Sequence, residues 1–297
     1  MSAARLGRPN WLEWRRPRAF SAVTRGIGTL DARLFQAVFQ ASLLLAGALW
    51  CDFALGAWQV MACFASALIS QWLWLRATGL KERGVLSAVI TGFGLSLLVR
   101  ADNLWVHPLL AAVAISSKFI WRYRFVPDQP DAGSAHRFNP ANLGAVIAGY
   151  VLPGAWLSPG QWGHSAALAL GVMLLGAVVS SKARRADASW VFLGTFAGLV
   201  AARALYLGLN PWSIWHQLDN GALLLFAFFM ISDPMTTPRH TRHRIAFAVV
   251  VALGAFGWQY ALFKPNGPIV ALFMASLAVP WLNRRAARAG QALGYRW

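Results

Sequence analysis

Apolar residues run through this chain in ten blocks separated by short polar breaks. The blocks cover residues 34–50, 55–75, 84–100, 104–121, 140–156, 162–181, 189–208, 219–232, 245–263 and 267–283. The pattern predicts about ten membrane-spanning helices and an all-α integral membrane fold. Several blocks fall short of the roughly 20 residues that a straight span requires. Short spans interrupted by Gly or Pro are typical of helices broken inside a bundle, where neighbouring protein satisfies the freed backbone groups.

The polar breaks carry a second pattern. With the N-terminus inside, the inner loops hold Arg76, Lys81 and Arg83; Lys118, Arg122, Arg124 and Arg137; Lys182, Arg184 and Arg185; and Arg239, Arg242 and Arg244. The inner tail holds Arg284, Arg285, Arg288 and Arg296. The outer loops, near 51–54, 100–103, 153–161, 209–218 and 264–266, hold only Arg100 and Lys264. Cytoplasmic loops carry the excess of Lys and Arg, so both ends are expected inside. Removing or adding one span would scramble the alternation, which supports ten.

Ten spans divide into two groups of five, and an odd-numbered repeat inserts its second copy upside down. The expected organisation is a basic N-terminal arm at 1–33, a first five-helix repeat at 34–156, a second at 162–283 and a basic tail at 284–297. Two local matches fit inversion. Phe138-Asn139-Pro140-Ala141-Asn142 opens the fifth block inside, and Phe263-Lys264-Pro265-Asn266-Gly267 opens the tenth outside. Thr91-Gly92 opens a run ending near Asp102 outside, and Asn220-Gly221 opens one ending at Asp233 inside.

Composition agrees with lipid as the solvent. Hydrophobic residues make up 58% of the 297 and charged residues only 12%, with a mean hydropathy of +0.49. A soluble domain carries roughly 25% charged residues. The net charge of +17 comes from 27 Lys and Arg against 10 Asp and Glu. In a soluble protein such an excess points to nucleic acid. Here the charges sit in short loops with no aromatic-interleaved groove, so a nucleic-acid partner is not expected. The arginine-rich first 33 residues precede the first apolar block, as expected of a basic arm rather than a cleavable leader. Within that arm, Trp11 to Phe20 reads equally as a segment lying on an anionic membrane surface or as a disordered stretch. Cys51 and Cys63 make no metal-ligand spacing. Trp72, Trp74, Trp105, Trp121, Trp212, Trp215 and Trp281 fall near block ends, where interfacial aromatics belong.

Three segments hold candidate chemistry. In His136-Arg137-Phe138-Asn139-Pro140-Ala141-Asn142, Asn139 suits a helix cap and Pro140 the first helical turn. Such a start presents free N–H groups to an anion. In Ser232-Asp233-Pro234-Met235-Thr236-Thr237, a carboxylate ends an apolar block. It is costly there unless paired, hydrated or capping a turn. His240 and His243 read as part of a solvated basic loop rather than as metal ligands. Lys118 reads as a snorkelling cation, and Arg203 needs a partner, for which Asp219 is available. The chain holds no catalytic triad context, phosphate loop, dinucleotide fingerprint or haem-ligand pair.

Phe138-Asn139-Pro140-Ala141 and Ser232-Asp233-Pro234-Met235-Thr236 resemble the FNPA and (T/S)DPVT signatures of the RnfD/NqrB family. Its members are the RnfD component of the Rnf complex and the NqrB component of the sodium-translocating NADH:quinone oxidoreductase. The resemblance extends from about Gly84 to Arg285 and takes in the stretch Gly267 to Pro280. It implies a ten-helix inverted repeat in the bacterial inner membrane. It also implies a role in coupling electron transport to Na+ or H+ movement beside other membrane redox subunits, with FMN as the usual cofactor. In that family the FMN is esterified to a threonine lying between the two signatures on the outer side. No such threonine motif occurs after the fifth block here, and Leu223 stands where Asp219-Asn220-Gly221-Ala222 would require one. A flavin or a quinone, where one binds, is therefore expected to be held non-covalently. Asn139, Pro140, Asn142, Asp233 and Thr236 are the expected cofactor or pathway residues. The alternative is a stand-alone inverted-repeat carrier or channel for a small solute.

Overall fold

The computed structural model of the chain describes residues 31–51, 53–80, 84–126, 133–158 and 166–290, with the side chains of 166–169 not described. The expectations for the N-terminal arm, Trp11 to Phe20 included, lie outside the described residues apart from its last positions, as does the end of the basic tail.

Each of the ten apolar blocks contains a helix. In chain order these are α1 (Ala32–Trp50), α2 (Ala57–Thr78), α3 (Val85–Leu98), α4 (Val106–Ile120), α5 (Pro140–Tyr150), α6 (Ala166–Lys182) and α7 (Ala186–Tyr206). After the short α8 (Pro211–Leu218) come α9 (Gly221–Leu225, continued by a π-helical turn, Phe226–Met230), α10 (Thr241–Phe256, continued by a π-helical turn, Gly257–Ala261), α11 (Gly267–Ser276) and α12 (Val279–Arg288). Four stretches are long and apolar enough to cross a membrane: α1, α2, α7, and α10 with its π-turn. The fold is not wholly helical. Two three-residue ribbons occur among the described residues, β1 (Val99–Ala101) with β4 (Ala155–Leu157) and β2 (Arg122–Arg124) with β3 (Ser134–His136), both antiparallel.

Several helices stop short. With 14 residues α3 spans about 21 Å, and with 11 residues α5 spans about 16 Å. Neither reaches across a hydrocarbon layer of about 30 Å. The ribbon β1–β4 explains how they can end where they do. Val99 pairs with Leu157 and Ala101 with Ala155, so each freed backbone meets the other. Arg100, placed by sequence in an outer loop, is fully buried. Its guanidinium donates to the carbonyls of Ser96 and Val99 at 2.7 and 2.6 Å and lies over the Phe53 ring. It thereby satisfies carbonyls that the end of α3 leaves open.

Close approach sets the crossing of α3 and α5. A Cβ on Gly94 would stand 2.8 Å from the Ala141 Cβ, and one on Gly144 would stand 2.6 Å from a Leu95 methyl. Small residues at such a contact let two backbones approach where lipid provides no hydrophobic drive.

The helix packing repeats in order. Helix α1 packs on α3, α2 on α3 and α4, and α4 on α5. Helix α6 packs on α9 and its π-turn, α7 on that π-turn and on α10, and α10 on α11. Contacts between the two sets include α1 with α6 and α5 with α11. In the latter contact Phe138 stacks on Phe273 at 5.0 Å between centroids.

The two local sequence matches do not survive at residue level. Thr91-Gly92 lies inside α3, whereas Asn220 is the cap of α9 and accepts from the Ala222 N–H. Asn139 caps α5 directly after Phe138, whereas the cap of α11, Asn266, comes three residues after Phe263. Cys63 is buried and Cys51 half-buried. Of the seven end-of-block tryptophans all but Trp74 are exposed, and Trp74 stacks on Phe119 and donates to Ser116 Oγ.

Candidate functional site

The start of α5 meets the turn after α9. Asn139 accepts the Asn142 N–H on its Oδ1 at 3.1 Å, the cap expected from sequence, with Pro140 in the first turn. Its Nδ2 donates to Asp233 Oδ2 at 3.3 Å. The Asp233 carboxylate also accepts from the Met235 N–H at 3.0 Å and from Thr236 Oγ1 at 2.9 Å. Of the roles open to Asp233, turn cap is therefore realised.

The π-helical turn prepares this geometry. The Ile231 N–H reaches back five residues to the Phe226 carbonyl at 3.1 Å, and Ser232 Oγ donates to the Phe228 carbonyl. A π-bulge widens the helix by one residue and is frequent at functional sites. Here it ends α9 one position before Ile231-Ser232-Asp233.

A cavity of about 250 Å³ lies against this junction. Asn139, Pro140 and Asp233 line it. Asn142 and Thr236 do not; both are buried behind it, holding Asn139 and Asp233 in place. His136, at the head of the first candidate segment, faces the cavity, and so do residues that sequence reasoning passed over: Gln36 and Gln40 of α1, with Arg33 before them. The signal was two glutamines one helical turn apart in an apolar block, where intramembrane polar groups are rare and usually face inward. The lining also includes apolar side chains, Ile90, Leu97, Leu225 and Phe229 among them.

Lys118 lines the same cavity and does not snorkel. It is buried and donates to Gln71 Oε1 at 2.7 Å and Ser87 Oγ at 2.9 Å. Two further expectations need correction. Arg203 sits over the Tyr260 ring at 4.7 Å rather than beside Asp219. The segment after Asp233 is no solvated loop: Thr236, Thr237 and Arg239 are buried, and His240 and His243 are half-buried edge to face. No group of three or more metal-ligating side chains occurs among the described residues.

Electrostatics favour a neutral histidine here. Burial, with the charges of Lys118 and Arg122 beside it, pushes His136 well below the ordinary histidine value. The wall thus offers the cations of Arg33 and Lys118, the carboxylate of Asp233, and neutral polar groups from Gln36, Gln40, Asn139 and His136. Gln40 Oε1 is buried, with no hydrogen-bond partner among the described residues.

Fold and site together define an all-α, multi-pass membrane protein whose helices enclose a small polar cavity. The family model for the NQR2, RnfD, RnfE family matches residues 137–290, slightly more than half of the chain, and includes both junction segments. The chain belongs to that family. It is similar to the D component (RnfD) of the Ion-translocating oxidoreductase complex of Haemophilus influenzae (strain PittEE), at 32% identity over 31% of this chain and 25% of that protein. Likeness to the protein of the same name from Salmonella paratyphi B is 32% over 41% of this chain and 34% of that protein. The chain thus spans about a quarter to a third of the length of these curated relatives.

Proposed function

We propose that this protein is a membrane subunit of an ion-translocating oxidoreductase complex, in the bacterial inner membrane beside other redox subunits. The hydrogen bond between Asn139 and Asp233 carries the reading. It joins the two signature segments of the family at the wall of one cavity. Their resemblance to RnfD, and the names of the curated relatives, supply the assembly and its activity.

The proposed architecture is ten spans in two inverted repeats, 34–156 and 162–283, with both ends inside. The recurring order of helix neighbours supports it, as do α1–α6 and α5–α11, which join equivalent members. Loop contacts support the sidedness. Asp187 pairs with Arg244, and Asn283 donates to Tyr123, all at inner positions. Tyr150 donates to the Pro265 carbonyl at the outer ends. By the same assignment the cavity opens among inner ends of spans, since Arg33, Gly84, Lys118, His136 and Asp233 line it.

The cavity fits the ring system of a flavin held without a covalent bond. Its volume of about 250 Å³ lies just below the roughly 300–1,000 Å³ of sites for whole drug-sized ligands. Its lining combines apolar side chains, Ile90, Leu97, Leu225 and Phe229, with the polar ones of Arg33, Gln36, Gln40, Lys118 and Asn139. A bound flavin would supply electron transfer. Asn139 and Pro140 would position it at the start of α5, and Asn142 and Thr236 would brace the wall. Asp233 would place a carboxylate beside the ion path.

The test is flavin content. The protein purified in detergent should show flavin absorbance, and denaturing electrophoresis should leave the chain without fluorescence. Fluorescence that stays on the chain would overturn the non-covalent assignment. Flavin-free protein that moves a solute by itself after reconstitution would transfer the reading to a stand-alone carrier.

A further inference from the structure

A second concavity opens against α12, and it shares no lining residue with the polar cavity. It has a volume of about 540 Å³, and four arginines line it: Arg137, Arg284, Arg285 and Arg288. Three come from α12, and Arg137 arrives from the segment before α5. Trp281 and Leu277, both exposed, complete an apolar side. We infer that this cleft binds the phosphodiester headgroup of an anionic phospholipid, with an acyl chain along Trp281 and Leu277.

The helix register makes the arrangement. Trp281, Arg284, Arg285 and Arg288 fall at i, i+3, i+4 and i+7, one face of α12. The opposite face is anchored. Asn283 is buried, donates to Tyr123 Oη at 2.8 Å and accepts the Arg239 N–H at 2.9 Å. The orientation of the arginine face is therefore fixed by polar contacts on the other side. Like charges three and four residues apart repel. Among the described residues no carboxylate pairs with any of the four to offset that repulsion. Arg285 lies over Trp281 at 5.3 Å, and Arg284 donates to the Arg124 carbonyl at 3.4 Å.

A phosphate oxygen meets the planar guanidinium fork well. The half-apolar lining selects a lipid over free phosphate: exposed tryptophan belongs at headgroup depth, with its ring toward the acyl region. Basic pockets at the ends of spans on the cytoplasmic side are known to take anionic headgroups. Which leaflet supplies the lipid rests on the proposed sidedness; the chemistry of binding does not.

The experiment is native mass spectrometry of the full chain in detergent, titrated separately with phosphatidylglycerol, cardiolipin and phosphatidylethanolamine. Wild-type protein should retain the two anionic lipids in preference to phosphatidylethanolamine, and excess inorganic phosphate should not displace them. The triple variant R284Q/R285Q/R288Q should bind anionic lipid at least about tenfold more weakly, each removed charge weakening attraction to an anionic headgroup. A second triple variant, R76Q/R242Q/K264Q, lowers the net charge equally at exposed positions elsewhere and should bind as the wild type does. Single substitution Arg288→Gln, at the exposed end of α12, gives a partial loss should the triple variant fail to fold. Equal retention of phosphatidylethanolamine, full displacement by phosphate, or equal losses in both triple variants would each overturn the lipid site. None of these outcomes depends on flavin content.

Discussion

Asn139 and Asp233, 94 positions apart in the chain, meet side chain to side chain at 3.3 Å. The carboxylate that receives Asn139 also holds the Met235 N–H and the Thr236 hydroxyl. One charged group therefore ties the start of α5 to the turn that follows α9.

Replacing that carboxylate is the direct test of the tie. In Asp233→Asn one acceptor oxygen becomes an amide donor, facing either the Asn139 and Thr236 donors at Oδ2 or the Met235 N–H at Oδ1. Hydrogen bonds to charged groups contribute about 1.5–3 kcal/mol, and a loss in that range is expected. The thermal midpoint in detergent should fall and flavin content with it, while the amount inserted into the membrane stays near wild type. A variant with an unchanged midpoint and unchanged flavin would remove Asp233 from the site.

The α3–α5 crossing yields a second prediction. The space at Gly144 is already occupied by a Leu95 methyl, 2.6 Å from where a Cβ would lie. Gly144→Leu should cost about 1–3 kcal/mol or more through overpacking, read as a lower unfolding midpoint. Gly194, in α7, has nothing within 4 Å of its Cβ position. Gly194→Ala should leave stability unchanged or raise it by up to about 1 kcal/mol, because alanine loses less entropy in a helix. Equal effects at the two sites would mean that α3 and α5 are not in close contact.

A helix within each apolar run was legible because lipid demands unbroken apolar runs, whereas α8 and α12, which fall largely in an expected loop and tail, were not. The ends of the helices were not legible. Val99 to Ala101 reads as the end of an apolar span, and only its partner strand, 155–157, turns it into a ribbon. Asn139, Pro140 and Asp233 were readable as cap and turn chemistry, which depends on near neighbours in sequence. Lys118 was misread because a lysine at a span end looks the same whether it snorkels or turns inward. The deciding partners, Gln71 and Ser87, lie 47 and 31 residues away. Arg203 failed for the same reason, since an aromatic ring on a distant helix gives no charge signal.

A third prediction concerns the ion pair between α7 and α10. Arg244 grips Asp187 with two nitrogens, Nε at 2.8 Å from Oδ1 and Nη2 at 2.5 Å from Oδ2. The pair joins the first turns of the two helices. Arg244 is 7% exposed and Asp187 29%. Removing one partner of a buried pair costs about 3–5 kcal/mol. The partial exposure of Asp187 places Asp187→Asn at about 3, the lower end of that range. Arg244→Lys should recover little, because an ammonium cannot make the two-pronged grip. Full recovery with lysine would show that charge alone matters there.

The last prediction is a pH dependence from His136. Its imidazole is held neutral by burial and by Lys118 and Arg122, so its pKa in the folded protein lies well below the ordinary value of about 6.5. The unfolded chain therefore binds this proton at a higher pH than the folded protein does. Stability from the neutral ring is complete above about pH 6.5 and is lost as pH falls below it, down to the folded pKa. One proton contributes at most about 1.4 kcal/mol per pH unit. The chain has five other histidines, so the wild-type curve alone does not isolate His136. The difference between wild type and His136→Gln does. As pH falls from about 6.5 to about 5, the wild-type midpoint should drop faster than that of the variant. Parallel curves over that window would mean that His136 is reached by water or carries its proton in the folded state, and the cavity wall would then hold a third cation.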